Sequence, residues 1–293
     1  MPTSDSRILV TGANGHLGRL VVGHLLDRVP AARVVVTARD AGSVADLAAR
    51  GVEVRAADYD DPASLDAALA GIDRLLLISA NEVGKRAPQH RNVIDAARRA
   101  GVRFIAYTSI LHADTGQLKL AEEHLATEAT LRTSGIPFAL LRNGWYTENQ
   151  TGSAGAAVQH GVVLGSAKDG RFSFAARDDY AEAAAVVIAS DDDQRGRIYE
   201  LAGDEGYTLA QLADELARQS GRPVAYKNLP EAELAATLEG FGLPAPLADI
   251  LADSDVRASR GALYDNSRQL SALIGRPTTP LAQSVAEALA PAR

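Results

Sequence analysis

A glycine-rich loop near the start of the sequence limits the fold more than any other feature. The apolar run Ile-Leu-Val at 8–10 leads into Thr-Gly-Ala-Asn-Gly-His-Leu-Gly at 11–18, and a helix is predicted over 17–28. Between a strand and a helix, glycines at this spacing allow a sharp turn, close approach of the backbone to a pyrophosphate, and tight packing of helix on strand. The N-terminus of such a helix also offers free N–H groups to phosphates. The loop therefore predicts a dinucleotide site.

The alternation of strands and helices continues through the first half of the chain. Apolar runs without polar alternation, rich in Val, Ile and Leu, are typical of strands that are buried on both faces. Helix-length segments separate these runs, at 41–50, 62–70, 89–100 and 117–134. Glycines end the predicted helices at Gly51, Gly71, Gly101 and Gly135. Because repeated strand–helix–strand units make right-handed crossovers, the predicted fold is α/β, a Rossmann-type doubly wound parallel sheet.

The end of the second predicted strand bears on the choice between NAD and NADP. Arg39 follows this strand, and a guanidinium suits a 2′-phosphate through paired, charge-assisted hydrogen bonds. Asp40 comes one residue later, and a carboxylate there would suit the ribose hydroxyls of NAD, so NAD stays open. The sequence favours NADPH as the cofactor.

Other contacts to the cofactor are expected where strands end, because ligands of open α/β sheets bind at the carboxyl ends of the strands. The residues at these ends are Asp58 and Tyr59 after the third strand, Ile78, Ser79 and Ala80 after the fourth, Tyr107, Thr108 and Ser109 after the fifth, and Arg142, Asn143, Gly144, Trp145 and Tyr146 after the sixth. Each could instead be an ordinary loop or packing residue.

The pattern changes after about residue 150. Residues 151–161 are mostly small and are predicted to form a loose segment without regular structure. A helix is predicted over 178–190 and one more strand over 196–203. A further helix is predicted to begin at Thr208 and to end before Gly221. We predict an NADP-binding Rossmann domain over 1–150, with later returns near 177–203, and a smaller, mostly helical C-terminal domain over 151–293 on the substrate side.

Composition excludes several classes of function. The net charge of −7 argues against nucleic acid as a partner, because phosphate binding needs clustered Lys and Arg. The absence of cysteine excludes disulfides, thiolate catalysis and Cys-ligated zinc, and the six histidines show no metal-ligand spacing, so no metal is expected. No apolar run is long enough to span a membrane, and the first residues do not resemble a signal peptide, so a cytoplasmic location is expected. The sequence leaves the oligomeric state open, a homodimer included.

The sequence offers no obvious catalytic acid. Short-chain dehydrogenases protonate a carbonyl oxygen with a Tyr that has a Lys four residues later, and none of the eight tyrosines here has one. Lys119 lies on the predicted helix over 117–134, near the position of that lysine, but Thr115 stands where the tyrosine would be. A ketone that accepts hydride becomes a basic alkoxide and needs such an acid. A quinone becomes a far less basic phenolate, so positioning against the nicotinamide is nearly sufficient.

Two polar residues follow the central strands and are candidates for the chemistry. The amide of Asn143 can donate to a quinone oxygen and stabilise developing negative charge, although a loop-capping asparagine is an equal alternative. His112, after the fifth strand, is the second candidate, and a structural role is the commoner one for a lone histidine.

These segments together resemble the NADPH-dependent quinone reductases of the NmrA-like, atypical short-chain dehydrogenase family. The resemblance covers nearly the whole chain and is clearest in TGANGHLG, ISANEVGKRAPQHRNVIDAA, FIAYTSILHAD, LLRNGWYTEN, ARDDYAEAAA, YELAGD and LADSDVRASRGALYD. It implies a Rossmann domain with a small C-terminal domain, direct hydride transfer from NADPH without flavin, and small quinones as substrates. The cofactor contacts it implies are Gly12, Ala13, Asn14, Gly15, His16, Leu17, Arg39, the segment after the fourth strand, Asn143, Gly144, Trp145, Tyr146, Thr147 and Glu148. It also places Asn143 near the nicotinamide and the quinone.

Two other functions stay open at this point. NmrA-like proteins include regulators that bind a dinucleotide and signal its redox state without turnover, and the missing acid suits such a sensor equally well. A reductase of the phenylpropanoid type shares the fold but expects a catalytic lysine after the fifth strand, a role that only Lys119 could take.

Overall fold

The computed structural model describes residues 6–290. Its strands are β1 Ile8–Val10, β2 Val34–Ala38, β3 Glu53–Ala56, β4 Arg74–Leu77, β5 Phe104–Ile110, β6 Phe138–Asn143, β7 Val162–Gly165, β8 Ile198–Leu201 and β9 Ala225–Asn228. Its helices are α1 His16–Leu26, α2 Ala45–Ala49, α3 Pro62–Leu69, α4 Arg86–Ala100, α5 Ala121–Thr133, α6 Thr147–Thr151, α7 Ala154–His160, α8 Arg177–Ala189, α9 Leu209–Ser220, α10 Glu231–Gly240, α11 Ala245–Ala258, α12 Gln269–Ile274 and α13 Leu281–Leu289.

The main sheet has seven strands in the order β3-β2-β1-β4-β5-β6-β8. The strands from β3 to β5 pair in parallel, and β1 lies between β2 and β4. The order reverses at β1 and β4, which is the switch point where doubly wound sheets bind dinucleotides. The predicted Rossmann-type fold is confirmed.

The residues divide into two compact units, each built from several stretches of chain. The first unit holds 6–110, Glu123–Arg142 and Tyr180–Tyr199. Its core includes the apolar faces of α3 and α4 and the central strands, with Leu75, Leu77 and Ile105 fully buried. The second unit holds Leu111–Glu122, Asn143–Asp179 and 200–290.

Turns and caps occur where the sequence indicated them. Gly51, Gly71, Gly101 and Gly135 all have a positive φ, which permits the chain to leave each helix. Thr208 caps α9 through a capping box with Gln211, and Gly221 ends that helix in the left-handed conformation.

Two local predictions are wrong, and one pair of strands was not predicted. Residues 151–161 are not loose, because this alanine-rich segment completes α6 and forms α7, which Gly161 ends. The predicted helix over 117–134 begins only at Ala121, so Lys119 lies on the turn before it. The second unit also contains a parallel pair of strands, β7 and β9, that the sequence did not indicate.

Asp255 on α11 gives the second unit a pH-dependent stability. Its side chain is buried and accepts the N–H of Ser166 at 2.8 Å. Burial raises the pKa of Asp255 from 3.8 to about 6, and the bond from Ser166 offsets only part of that rise. The folded state therefore binds this proton more tightly than the unfolded state, so the ionised carboxylate destabilises the fold increasingly as pH rises from about 4 to about 6.

We expect Asp255→Asn to increase the free energy of unfolding at pH 8 by about 2–3 kcal/mol and to change it little near pH 4. Urea denaturation at the two pH values measures the difference. Asp249→Asn, at an exposed position of the same helix, is the control. A stability gain of equal size at both pH values would contradict this assignment.

Candidate functional site

The glycine loop has the geometry that a pyrophosphate requires. Gly12 has a φ of +62°, which allows the turn after β1, and its carbonyl accepts the N–H of Gly15 at 3.0 Å. Asn14, Gly15 and His16 are exposed at the start of α1, whereas Ala13 and Leu17 are buried beneath the loop. The free N–H groups at this helix start are thus accessible to an anion.

Gly18 is the glycine that packs the helix against the loop. A Cβ atom at this position would lie 2.3 Å from the Gly12 carbonyl oxygen and 2.8 Å from the Ala13 Cα. Both obstacles are backbone atoms, so any side chain at Gly18 would displace the loop. This is the close packing that the third glycine of such a loop provides.

The two residues after β2 are arranged differently. Arg39 has a side chain that is 71% exposed, and its nearest charge is Glu82, with Nη1 to Oε1 at 3.9 Å. Asp40 instead accepts the N–H of Gly42 at 2.8 Å and caps a short 3₁₀ turn over Ala41–Val44. The guanidinium is accessible to a phosphate, whereas the carboxylate is bonded to its own backbone. This arrangement favours a 2′-phosphate over a free ribose hydroxyl.

The loop after β3 and the segment after β4 contact each other in the first unit. Asp58 is half-buried, and its Oδ1 accepts the N–H of Asp60 at 3.0 Å. Ile78 is largely buried, while Ser79 and Ala80 are half-buried. The carbonyl of Ile78 accepts a hydrogen bond from the hydroxyl of Tyr59, the residue after Asp58, at 3.1 Å.

Side chains at the end of β5 are bonded to α5. The hydroxyl of Tyr107 lies 2.8 Å from Nδ1 of His124, and both side chains are buried. The Ser109 hydroxyl donates to Oε1 of Glu128 at 2.7 Å. Burial and these partners make Tyr107 and Ser109 part of the scaffold.

A buried ion pair stands next to the last residue of β6. The guanidinium of Arg142 donates to both carboxylate oxygens of Glu128, at 2.9 and 2.8 Å. Burial alone would raise the pKa of Glu128, but the hydrogen bonds from Arg142 and Ser109 outweigh it and hold the pKa below its ordinary value. Glu128 was not predicted from the sequence, although an arginine at the end of an apolar strand requires a partner and could have indicated one.

In the second unit, Asn143 and the residues after it form a compact polar group. Asn143 is 5% exposed, and its amide nitrogen donates to the Tyr146 hydroxyl at 3.3 Å. The Arg177 guanidinium lies 5.0 Å from the centre of the Tyr146 ring, a cation–π contact. Glu148 accepts the N–H of Arg177 with both oxygens, at 2.9 and 3.0 Å, and so caps α8.

The remaining predicted residues of this stretch are mostly enclosed. Gly144, Trp145 and Thr147 are buried. The N–H of Gly144 donates to the Leu201 carbonyl at 2.7 Å, and that of Thr147 donates to the Ala175 carbonyl at 2.9 Å. Their backbones are therefore fixed by neighbouring strands and loops.

His112 and Lys119 are both held by other residues of the second unit. His112 has a φ of +51°; its Nε2 lies 3.2 Å from Asp265 and its Nδ1 lies 3.3 Å from the Ala262 carbonyl. Lys119 is exposed, with its Nζ 3.8 Å from Glu231. Because Lys119 lies outside α5, the geometry gives no support to a helix-borne catalytic lysine.

A cavity of about 570 Å³ lies at the opposite, amino-terminal ends of β4 and β5. It is lined by Arg74, Arg103, Phe104 and the acidic residues 191–193. Ligands of doubly wound sheets bind at the carboxyl ends of the strands, so we do not assign the cofactor to this cavity.

The sequence matches the model of the NmrA-like family over residues 4–274. The chain belongs to the NmrA-like family. Family members differ in chemistry, and individual relatives are therefore more informative than the family as a whole.

A sequence and a solved structure of a quinone oxidoreductase are similar to this chain over nearly their whole length. Quinone oxidoreductase 2 of Escherichia coli strain K12 is 58% identical over 278 residues, covering 95% of this chain and 97% of the relative. The crystal structure of the NADPH-dependent quinone oxidoreductase of Escherichia coli in complex with NADPH matches with a TM-score of 0.93, covering 96% of this chain and 99% of the other.

A further similar structure is that of the triphenylmethane reductase of a Citrobacter species, solved in complex with NADP(H). It is 38% identical with a TM-score of 0.91, and the match covers 96% of this chain and all of the other. The two solved relatives thus share the fold and a bound nicotinamide cofactor, while their names indicate different substrates.

None of the helices within residues 6–290 combines the length and the apolar composition that crossing a bilayer requires. In the same part of the chain, no group of three or more His, Asp or Glu side chains is placed to hold a metal ion.

Proposed function

We infer that this protein reduces quinones with NADPH by direct hydride transfer, without flavin. The observation that carries this conclusion is the 58% identity, over 95% of the chain, to a quinone oxidoreductase whose structural counterpart binds NADPH. The glycine loop and Arg39 independently fit the cofactor, since one exposes N–H groups to a pyrophosphate and the other exposes a guanidinium.

Particular residues would hold the cofactor. Residues 12–17 would bind the pyrophosphate, and Arg39 would bind the 2′-phosphate in place of its distant partner Glu82. Asp58 and residues 78–80 would contact the cofactor at the ends of β3 and β4, and residues 143–148 would do so after β6. NADPH supplies the hydride when it is bound.

The protein's own contribution to the chemistry is mainly positioning. A quinone that gains hydride becomes a hydroquinone anion, a phenolate that water can protonate after the transfer. The amide N–H₂ group of Asn143 would donate to the quinone oxygen that gains this charge. Tyr107 is enclosed with His124, and burial raises its pKa, so it is not a proton donor for this step.

The alternative of a redox sensor without turnover uses the same loop and the same arginine. The comparisons favour the enzyme, because a relative that is 58% identical over 95% of this chain is named as an oxidoreductase. A sensor would bind NADPH yet show no oxidation of it by any quinone.

Exchange of Arg39 tests the cofactor assignment. We expect Arg39→Ser to lower kcat/KM for NADPH about 10- to 100-fold and to change kcat/KM for NADH little, because one or two charge-assisted hydrogen bonds to the 2′-phosphate are lost. Steady-state oxidation of each cofactor with a small benzoquinone measures this. Asp40→Asn, which alters the neighbouring charge, is the control and should retain the preference for NADPH. Equal losses with both cofactors in Arg39→Ser would contradict the role of this arginine.

The substrate in this proposal is a small quinone. The cytoplasmic location stays a prediction from the sequence, and the sequence makes no choice between a homodimer and other oligomeric states. Size-exclusion chromatography with light scattering would measure the oligomeric state directly.

A further inference from the structure

The segment 78–80 runs beyond the end of β4, and side chains hold its backbone there. The Ile78 N–H donates to Thr11 and the Ser79 N–H donates to Thr108, both to Oγ1 at 2.9 Å. The Ile78 carbonyl accepts from Tyr59 at 3.1 Å. The Ala80 N–H and carbonyl are bonded to His90 and Arg86 on α4, respectively. Five backbone groups are therefore fixed by side chains from four different parts of the first unit.

His90 can make its bond to Ala80 in only one protonation state. The Thr127 hydroxyl donates to the Glu123 carbonyl at 3.0 Å, so at 2.9 Å it accepts the Nδ1–H of His90. Nε2 then carries the lone pair and accepts the Ala80 N–H at 2.9 Å. Burial, together with the nearby charge of Arg86, lowers the pKa of His90 to about 3, so the ring stays neutral at physiological pH.

Arg86 completes the contact from the same helix. Its Nε donates to the Ala80 carbonyl at 2.8 Å, and its guanidinium is buried. Glu123 fixes Arg86 in turn, accepting its backbone N–H at 3.1 Å and lying 3.4 Å from Nη1. Both polar backbone atoms of Ala80 are thus bonded to side chains that are themselves held in place.

We propose that His90 and Arg86 are positioning residues for NADPH binding, which act by holding Ala80 and the segment 78–80 in the binding conformation. The proposal rests on the proposed function, in which this segment contacts the cofactor. A binding segment that is already ordered loses less conformational entropy when ligand binds, so releasing Ala80 weakens cofactor binding. A purely structural role for His90 predicts lower stability and unchanged affinity.

The test compares two buried histidines of the same cluster. His90→Leu removes the acceptor of the Ala80 N–H, whereas His124→Leu removes a histidine that bonds to Tyr107 and not to the segment. We expect both variants to lose thermal stability, but only His90→Leu to raise the Kd for NADPH about tenfold, with His124→Leu within about twofold of the wild type. Isothermal titration with NADPH measures Kd, and thermal unfolding reports stability. Equal Kd values for the two variants would overturn the proposal.

Two conservative variants keep the test decisive if His90→Leu does not fold. His90→Gln places an amide oxygen where Nε2 accepts the bond and should restore Kd to within about twofold of the wild type, whereas the shorter His90→Asn should not. The same Kd for Gln and Asn would overturn the proposal. A wild type that bound NADPH but reduced no quinone would overturn only the proposed function, and these Kd values would still decide the role of His90.

Discussion

Replacing Glu128 with Gln is expected to lower the free energy of unfolding by about 3–5 kcal/mol, because it leaves the guanidinium of Arg142 buried without its counter-charge. Glu128 is fully buried and Arg142 is 2% exposed. Two hydrogen bonds from Arg142 and one from Ser109 end on this carboxylate. Urea denaturation at neutral pH measures the loss.

Arg132 provides the matched control, since its exposed guanidinium donates to the same carboxylate at 2.9 Å. Arg132→Gln should cost less than about 1 kcal/mol, as exposed ion pairs do. Because the pKa of Glu128 is lowered in the folded state, its ionised carboxylate stabilises the fold at neutral pH. This stabilisation is lost as the pH falls below 4.5, the ordinary pKa of a glutamate. Similar losses in the free energy of unfolding for Glu128→Gln and Arg132→Gln would show that the buried ion pair contributes no more to stability than the exposed one.

Asn143→Ala is expected to lower kcat for quinone reduction about 100-fold, the usual effect of removing a donor that stabilises developing negative charge. Asn143 ends β6 and is 5% exposed, and its amide nitrogen is already oriented by the Tyr146 hydroxyl. Steady-state kinetics at saturating NADPH measures kcat, and titration with NADPH tests whether the cofactor still binds.

Asn143→Asp separates the effect of hydrogen-bond donation from the effect of side-chain size. It keeps the shape of the side chain but replaces the N–H₂ donor with a carboxylate, so we expect a loss at least as large as that of Asn143→Ala. Asn149→Ala, at an exposed position of α6, is the control and should retain kcat. If both Asn143 variants retained kcat, Asn143 would have no role in quinone reduction.

The parts of the fold that could be predicted are those that depend on local sequence patterns. The strands β1, β2 and β4 are mostly apolar runs, and Gly51 and Gly71 follow the helices α2 and α3, so a parallel sheet could be predicted from the sequence. The pair β7 and β9 was not predictable, because β9 is short, mostly exposed and polar, and it pairs with a segment about sixty residues earlier. Pairing at that distance leaves no local pattern.

In the candidate site, too, some residues could be predicted from the local sequence and others could not. The glycine loop and Arg39 were recognisable because their chemistry depends on neighbours in sequence. Glu128 and His90 were not, because their roles depend on Arg142 and Ala80, which other elements bring to them. A lone histidine on a helix gives no indication that its ring accepts a backbone N–H from a neighbouring strand end.

Quinone reduction by this protein can be measured by mixing the purified protein with NADPH and a small benzoquinone and following the loss of reduced nicotinamide, beside an NADH reaction and a blank without enzyme. We expect rapid oxidation of NADPH, slow oxidation of NADH, and no requirement for added flavin. A rate equal to the blank, in protein shown separately to bind NADPH, would contradict this proposed function and would favour a sensor.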